Sequence, residues 1–172
     1  MIMGASAPAS LIRPAIADDV PAIHAMIREL AAFERLTHEV TGTAQDLYCA
    51  LFGERPAAEA FVACAGDEAA GFALFFTSFS TFEGKPGIYL EDLYVRPQFR
   101  GRGLGKGLLL RVAEIALSRG CARYEWSVLE WNRDAIEFYR NFGAEMHADW
   151  RRMRVSGDGL RELAGLRKES HP

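Results

Sequence analysis

One stretch, residues 88–106, constrains the fold more than any other part of the chain. Ile88-Tyr89-Leu90-Glu91-Asp92-Leu93-Tyr94-Val95 is a strand-length run rich in aromatic and branched residues, and Pro97 ends it. Arg100-Gly101-Arg102-Gly103-Leu104-Gly105 follows, and from Leu104 apolar residues recur every four positions through Leu108, Val112 and Ala116. A strand, a glycine turn and a helix start, in that order, make an anion site. Helix N-termini leave about four amides unpaired and carry partial positive charge, while glycine removes the Cβ that would hold an anion at a distance. Arg100, Arg102 and Lys106 add cationic charge.

Two well-known phosphate loops fail on spacing. A dinucleotide fingerprint starting at Gly101 needs glycine or alanine where Lys106 stands. A P-loop needs serine or threonine where Gly107 stands and glycine where Arg100 stands. The pattern that is met is R-x-x-G-x-G, through Arg100, Gly103 and Gly105.

The rest of the chain reads as one α/β domain over residues 11–168 with a mixed sheet, preceded by a flexible tail at 1–10. Residues 11–15 are strand-like, and Asp18 or Asp19 can cap a helix that has Pro21 in its first turn and Ile23, Ile27, Leu30 and Ala31 on one face. Thr43 caps a second helix, through Leu47 and Leu51 to Gly53. Residues 60–65 and 69–76 form an antiparallel hairpin, 78–87 a loop, and 124–129 a further strand. The helix that starts at Leu104 ends at Gly120, and Asn132 caps another that ends at Gly143. Residues 150–155 resemble a final strand.

Composition excludes several classes. With 172 residues, 49% of them hydrophobic, the chain can bury a core, so neither disorder nor a fibre is expected. No window approaches about 18 apolar residues, which argues against a membrane span. A net charge of −3 opposes broad nucleic-acid binding, which needs a concentrated basic face. Cys49, Cys64 and Cys121 have no paired spacing and read as small core residues in a reducing cytoplasm, and the four histidines lack metal-ligand spacing, so no metal is expected.

Taken together, Tyr89-Leu90-Glu91-Asp92-Leu93-Tyr94-Val95, the glycine loop, Glu130-Trp131-Asn132 and Ile136-Glu137-Phe138-Tyr139-Arg140-Asn141-Phe142-Gly143-Ala144 resemble the diamine (spermidine/spermine) N-acetyltransferases of the GNAT superfamily. Glu29-Leu30-Ala31 and Trp150-Arg151 extend the likeness. The resemblance implies a twisted, largely antiparallel mixed sheet of about six to seven strands, flanked by helices. Its fourth and fifth strands splay apart to admit the pantetheine arm of acetyl-CoA, the co-substrate, along Leu93, Tyr94 and Val95. Gly101, Arg102, Gly103, Leu104, Gly105 and Lys106, with Arg100, would hold the pyrophosphate, and Asn132, Arg133, Asp134 and Ala135 would line the cofactor. It also implies a homodimer.

Attack of an amine on a thioester needs a proton removed from the ammonium, a stabilised oxyanion and a proton for the departing thiolate. By resemblance, Tyr139 is the acid that protonates the sulfur, an amide near Leu93 supports the oxyanion, and Glu91 binds the amine and passes its proton through water. Adjacent strand residues face opposite sides of a sheet, so Glu91 and Asp92 are not expected to reach one site, and Asp92 is read as support for neighbouring backbone. Phe33, Glu34, Glu125, Trp126, Ser127 and Asp149 match substrate-contacting positions. Residues 143–150 are shorter than in the polyamine enzymes, and Thr81-Phe82-Glu83 replaces an acidic, tryptophan-bearing loop. A trimmed pocket suits a short diamine or a lysine-like amino acid such as thialysine. The alternatives left open are another amine (an aminoglycoside, a protein amino terminus or a lysine side chain) and a non-catalytic acyl-CoA-binding sensor.

Overall fold

Residues 10–169 are described by the computed structural model. Residues 1–9, most of the expected tail, and 170–172, with His171, lie outside them. The chain divides after Ser127 into two compact units.

The first unit is built on a five-stranded sheet in the order β1 (Ser10–Pro14), β2 (Glu59–Ala65), β3 (Glu68–Ser80), β4 (Lys85–Val95) and β5 (Arg123–Trp126). The first four strands pair antiparallel, and β5 pairs parallel to β4. A parallel pair needs a crossover, which α3 (Leu104–Ser118) supplies. Helices α1 (Val20–Phe33) and α2 (Ala44–Phe52) cover one face: Ile23, Met26 and Leu51 cluster with Val62, Phe72, Leu74 and Tyr94. On α3, Leu104, Leu108, Leu109, Val112 and Ala116 are buried where it packs against β3 and β4. At roughly 25 cal/mol for each Å² of apolar surface withdrawn from water, these two layers are the main source of stability.

Local chemistry sets the helix ends. The Thr43 hydroxyl accepts from Asp46 N at 3.1 Å and the Asp46 carboxylate accepts from Thr43 N at 2.8 Å, a reciprocal cap for α2. Asp19 precedes α1 without capping it through its side chain. Its carboxylate instead accepts two bonds from Arg13, at 2.6 and 2.8 Å, and one from Ile16 N at 2.8 Å. The Arg13 guanidinium holds that carboxyl below its ordinary range.

Several boundaries differ from the sequence expectation. The loop expected at 78–87 shrinks to 81–84, because β3 and β4 stay paired through Ser78↔Gly87 and Ser80↔Lys85. Backbone pairing is indifferent to the polar side chains that suggested a loop. β5 stops at Trp126 rather than continuing to 129.

The second unit holds α4 (Arg133–Arg140) and α5 (Gly157–Glu169). The strand expected at 150–155 is absent: residues 150–156 are irregular, leaving five strands among the described residues instead of six to seven. Trp150, Met153 and Val155 are exposed, so this stretch has no buried face of the kind that selects a strand. No described helix is long and apolar enough to cross a membrane.

Candidate active site

The site begins with an irregularity in β4. Leu90 pairs with Phe75 and Asp92 with Leu74, so the register skips Glu91. This bulge interrupts the alternation of faces. Cross-strand partners share a face, which puts Tyr89, Asp92 and Tyr94 on the α1 side with Phe76, Leu74 and Phe72, and Leu90 and Leu93 on the α3 side with Phe75 and Ala73. The expectation that Glu91 and Asp92 are kept apart by strict alternation therefore loses its geometric basis. On its other edge, β4 pairs with β5 only from Gly87↔Arg123 to Leu90↔Trp126, while β4 itself runs on to Val95. β5 ends opposite Leu90, where the bulge begins, leaving the β5-side edge of 91–95 beyond the paired segment.

Three carboxylates gather at this point. Glu91 is exposed, while Asp92 keeps some surface but its carboxyl is enclosed. Burial first, then the charges of Glu91 and Glu34, push Asp92 up to about 7. Glu34, just past the end of α1, is raised by burial as well. The sequence reading gave Asp92 a supporting role; its enclosure was invisible because it depends on packing between distant segments, with α1 against β4.

The glycine loop has the geometry of an anion cradle. Gly101 and Gly103 have φ of 75° and 79°, and a Cβ at either would meet nothing within 4 Å. Gly103 is the N-cap of α3 and provides no side-chain cap. The first turn of α3 has no preceding helical turn to take its amide hydrogens, an arrangement that fits a pyrophosphate. The arginines of the loop are engaged with protein. Arg102 donates to the Gln98 carbonyl at 3.3 Å and lies over the Phe99 ring, and Arg100 donates from Nε to the Val95 carbonyl at 2.9 Å.

A clasp ties α1 to the end of β4. Arg96 donates from Nε to both Glu29 oxygens at 3.1 Å, from Nη2 to Glu29 at 2.9 Å, and from Nη1 to the Ala69 carbonyl at 2.9 Å. On β5, Glu125 pairs with Arg123 at 2.8 Å, Trp126 meets Tyr124 edge-on at 5.0 Å, and the Ser127 and Tyr89 hydroxyls are 2.7 Å apart. Pairing opposite Tyr89 sets Glu125 on the α1 side, and pairing opposite Leu90 sets Trp126 on the α3 side.

In the second unit, Asn132 caps α4 by accepting from Ala135 N at 3.3 Å, with Arg133 and Asp134 in the first turn. Tyr139 lies in the last turn, its ring 5.3 Å from Phe138, and Gly143 at φ 83° ends the segment. Asp149 is exposed in a turn. Among the described residues no group of His, Cys, Asp or Glu is arranged to hold a metal ion.

A mixed sheet with a bulged, parting fourth strand, an anion cradle at the start of its crossover helix and carboxylates at the bulge define an acyltransferase architecture that takes a pyrophosphate-bearing donor and a cationic acceptor. The sequence profile of the Acetyltransferase (GNAT) family matches residues 23–144, and the chain belongs to that family. It is 39% identical to the thialysine N-epsilon-acetyltransferase of Mus musculus, over 90% of this chain and 96% of that one. It is 34% identical to the L-ornithine N5-acetyltransferase NATA1 of Arabidopsis thaliana, over 91% and 89%. Among solved structures, an integron cassette protein from the mobile metagenome of V. cholerae superposes with a TM-score of 0.75 at 26% identity, covering 90% of this chain and 97% of that one. The protein is an N-acetyltransferase that uses acetyl-CoA to acetylate an amine.

Proposed function

We propose that the acceptor is the primary amine of a small molecule with a second cationic group, a lysine-like amino acid such as thialysine or ornithine, or a short diamine. The observation that carries this reading is the grouping of Glu34, Glu91 and Asp92 at the bulge, where burial and the charges of Glu91 and Glu34 oppose ionisation of Asp92. A cation between them relieves that repulsion, so the site favours a positively charged ligand. The names of the relatives point the same way: thialysine and ornithine each carry an amine on a short chain.

Acetyl-CoA supplies the acyl thioester when bound, with the amides of Leu104, Gly105 and Lys106 on its pyrophosphate, the β4 edge at Leu93, Tyr94 and Val95 along its arm, and Asn132, Arg133, Asp134 and Ala135 beside it. Glu91 holds the ammonium and relays its proton to water, Asp92 and Glu34 fix the second cationic group, and Leu93 N–H faces the oxygen that gains negative charge. Tyr139 Oη gives a proton to the departing sulfur. Phe33, Glu125, Ser127 and Asp149 complete the amine channel in a homodimer, while Trp126, on the opposite face of the sheet from Glu125, lies outside it. A cytoplasmic location accords with three cysteines that are all free.

The test is CoA thiol release over putrescine, spermidine, spermine, lysine, thialysine, ornithine, an aminoglycoside and a lysine peptide. The expected result is turnover with lysine-like amino acids or diamines, cut by about 10² or more in Tyr139→Phe, with acetyl-CoA binding retained. Turnover confined to the aminoglycoside or the peptide overturns the small-amine reading, and unchanged turnover in the variant removes Tyr139 from the acid role.

A further inference from the structure

Arg100 opens the glycine loop, yet its side chain is shared between two other elements, β4 and α1. Its Nε donates to the Val95 carbonyl at 2.9 Å, and its guanidinium carbon lies 5.5 Å from the Phe33 ring centroid and 5.8 Å from that of Tyr94. Tyr94 is buried on β4, two residues beyond Asp92 and on the same face. Phe33 is the last residue of α1, 43% exposed, and immediately precedes Glu34. The rest of α1 is anchored by the clasp between Glu29 and Arg96 and by Ile23 and Met26 in the core. The end of the helix is a separate turn. Its turn closes with Leu36 N donating to the Ala31 carbonyl at 2.8 Å across Arg35, a non-glycine residue at φ 61°. Stacking against a cation adds to the hold on an aromatic ring that the core does not fully enclose.

We infer that Arg100 is a positioning residue for the acceptor amine: its stack on Phe33 and Tyr94 seats the turn that carries Glu34 against β4 and couples that turn to the glycine loop. The inference rests on the amine reading above. An anion on the loop amides restrains the backbone from which the Arg100 side chain springs, so filling the cradle steadies the Phe33 ring and the carboxylate beside it. Coupling of this kind is reciprocal: acetyl-CoA tightens amine binding by the factor by which amine tightens acetyl-CoA.

The test uses Arg100→Gln, Phe33→Leu, their double variant and Phe33→Tyr, with amine kcat/KM measured at saturating acetyl-CoA. Each of the first two is expected to lose about tenfold and the double no more than about twofold beyond either, because both break one stack. Phe33→Tyr, which keeps the ring, recovers most of the Phe33→Leu loss. A double variant that loses about a hundredfold shows independent roles and overturns the inference. A second readout needs no turnover: hydrogen exchange at the Glu34 and Leu36 amides with and without CoA. CoA is expected to slow that exchange in the wild type by about threefold or more and to leave it unaltered in Arg100→Gln. Equal protection in both proteins, or none in either, removes the coupling. If the wild type acetylates no amine in the panel, the functional reading fails while the exchange experiment still decides the stack.

Discussion

The carboxyl of Asp92 sits near 7, rather than 3.8, because burial and the charges of Glu91 and Glu34 all oppose its ionisation. The folded protein therefore keeps a proton that the unfolded chain releases near pH 4. Between those values the native state binds more protons than the unfolded one, so stability falls as pH rises from about 4 to about 7, by at most about 1.4 kcal/mol per unit, and levels off above. Asp92→Asn should abolish this part of the slope and leave the ligand-free variant more stable than the wild type at pH 8. Urea unfolding of both proteins at pH 5 and pH 8 measures it, and parallel pH dependences would show that Asp92 titrates normally. Nearby, Arg35 occupies the left-handed region at the helix end where glycine is usual. Arg35→Gly should add up to about 1 kcal/mol of stability in the same assay, and a loss instead would mean that the arginine side chain stabilises the turn. At this scale the sequence was informative about residue types and poor on environment: Glu91 and Asp92 were visible as acids within an aromatic strand and Glu34 by resemblance alone, but the ranking of their burial depends on packing between segments far apart in the chain.

Among the elements, the glycine loop and α3 were the most legible, because spacing alone excluded two phosphate loops and the helical period from Leu104 to Ala116 has few other interpretations. Both helix caps that rest on Thr43 and Asn132 were readable for the same reason: a short side-chain oxygen reaches amides two or three residues on. The bulge was not readable. Counting residues along β4 gives strict alternation, and only the pairing with β3 reveals that Glu91 is passed over. That pairing is held close by Gly71, opposite Val95, where an added Cβ would stand 2.6 Å from the Tyr94 carbonyl oxygen and 3.0 Å from Val95 Cγ2. The carbonyl belongs to a backbone already fixed in the sheet and cannot swing aside. Gly71→Ala should cost about 1–3 kcal/mol, seen as a lower urea midpoint. It should also weaken acetyl-CoA binding, because the strain falls on the β4 segment that borders the parting strands. Wild-type stability in that variant would mean that the two strands separate more easily than their register suggests.

For the whole molecule, the second unit poses the question that sequence patterning answered least well. Residues 150–155 carry a Trp, a Met and a Val among arginines, a composition that suggested a strand, and the helix Gly157–Glu169 was not anticipated; its glycines at 157, 159 and 165 are poor helix formers. Trp150 is 76% and Met153 90% exposed, and Leu160 and Leu163, one helical turn apart, are also exposed. Single exposed apolar residues need no explanation, but this many within about fourteen positions mark a surface that gains from being covered. In the homodimer proposed above, a second copy covers it. Sedimentation at micromolar concentration should then give a dimer, and Trp150→Ser with Met153→Glu should shift it toward monomer, with a fall in amine turnover that tracks the monomer fraction. A wild-type monomer refutes the dimer outright. A variant that remains dimeric with full turnover moves the interface away from the second unit, toward the edge of β1 or the exposed Phe79 and Phe82 of the β3–β4 hairpin.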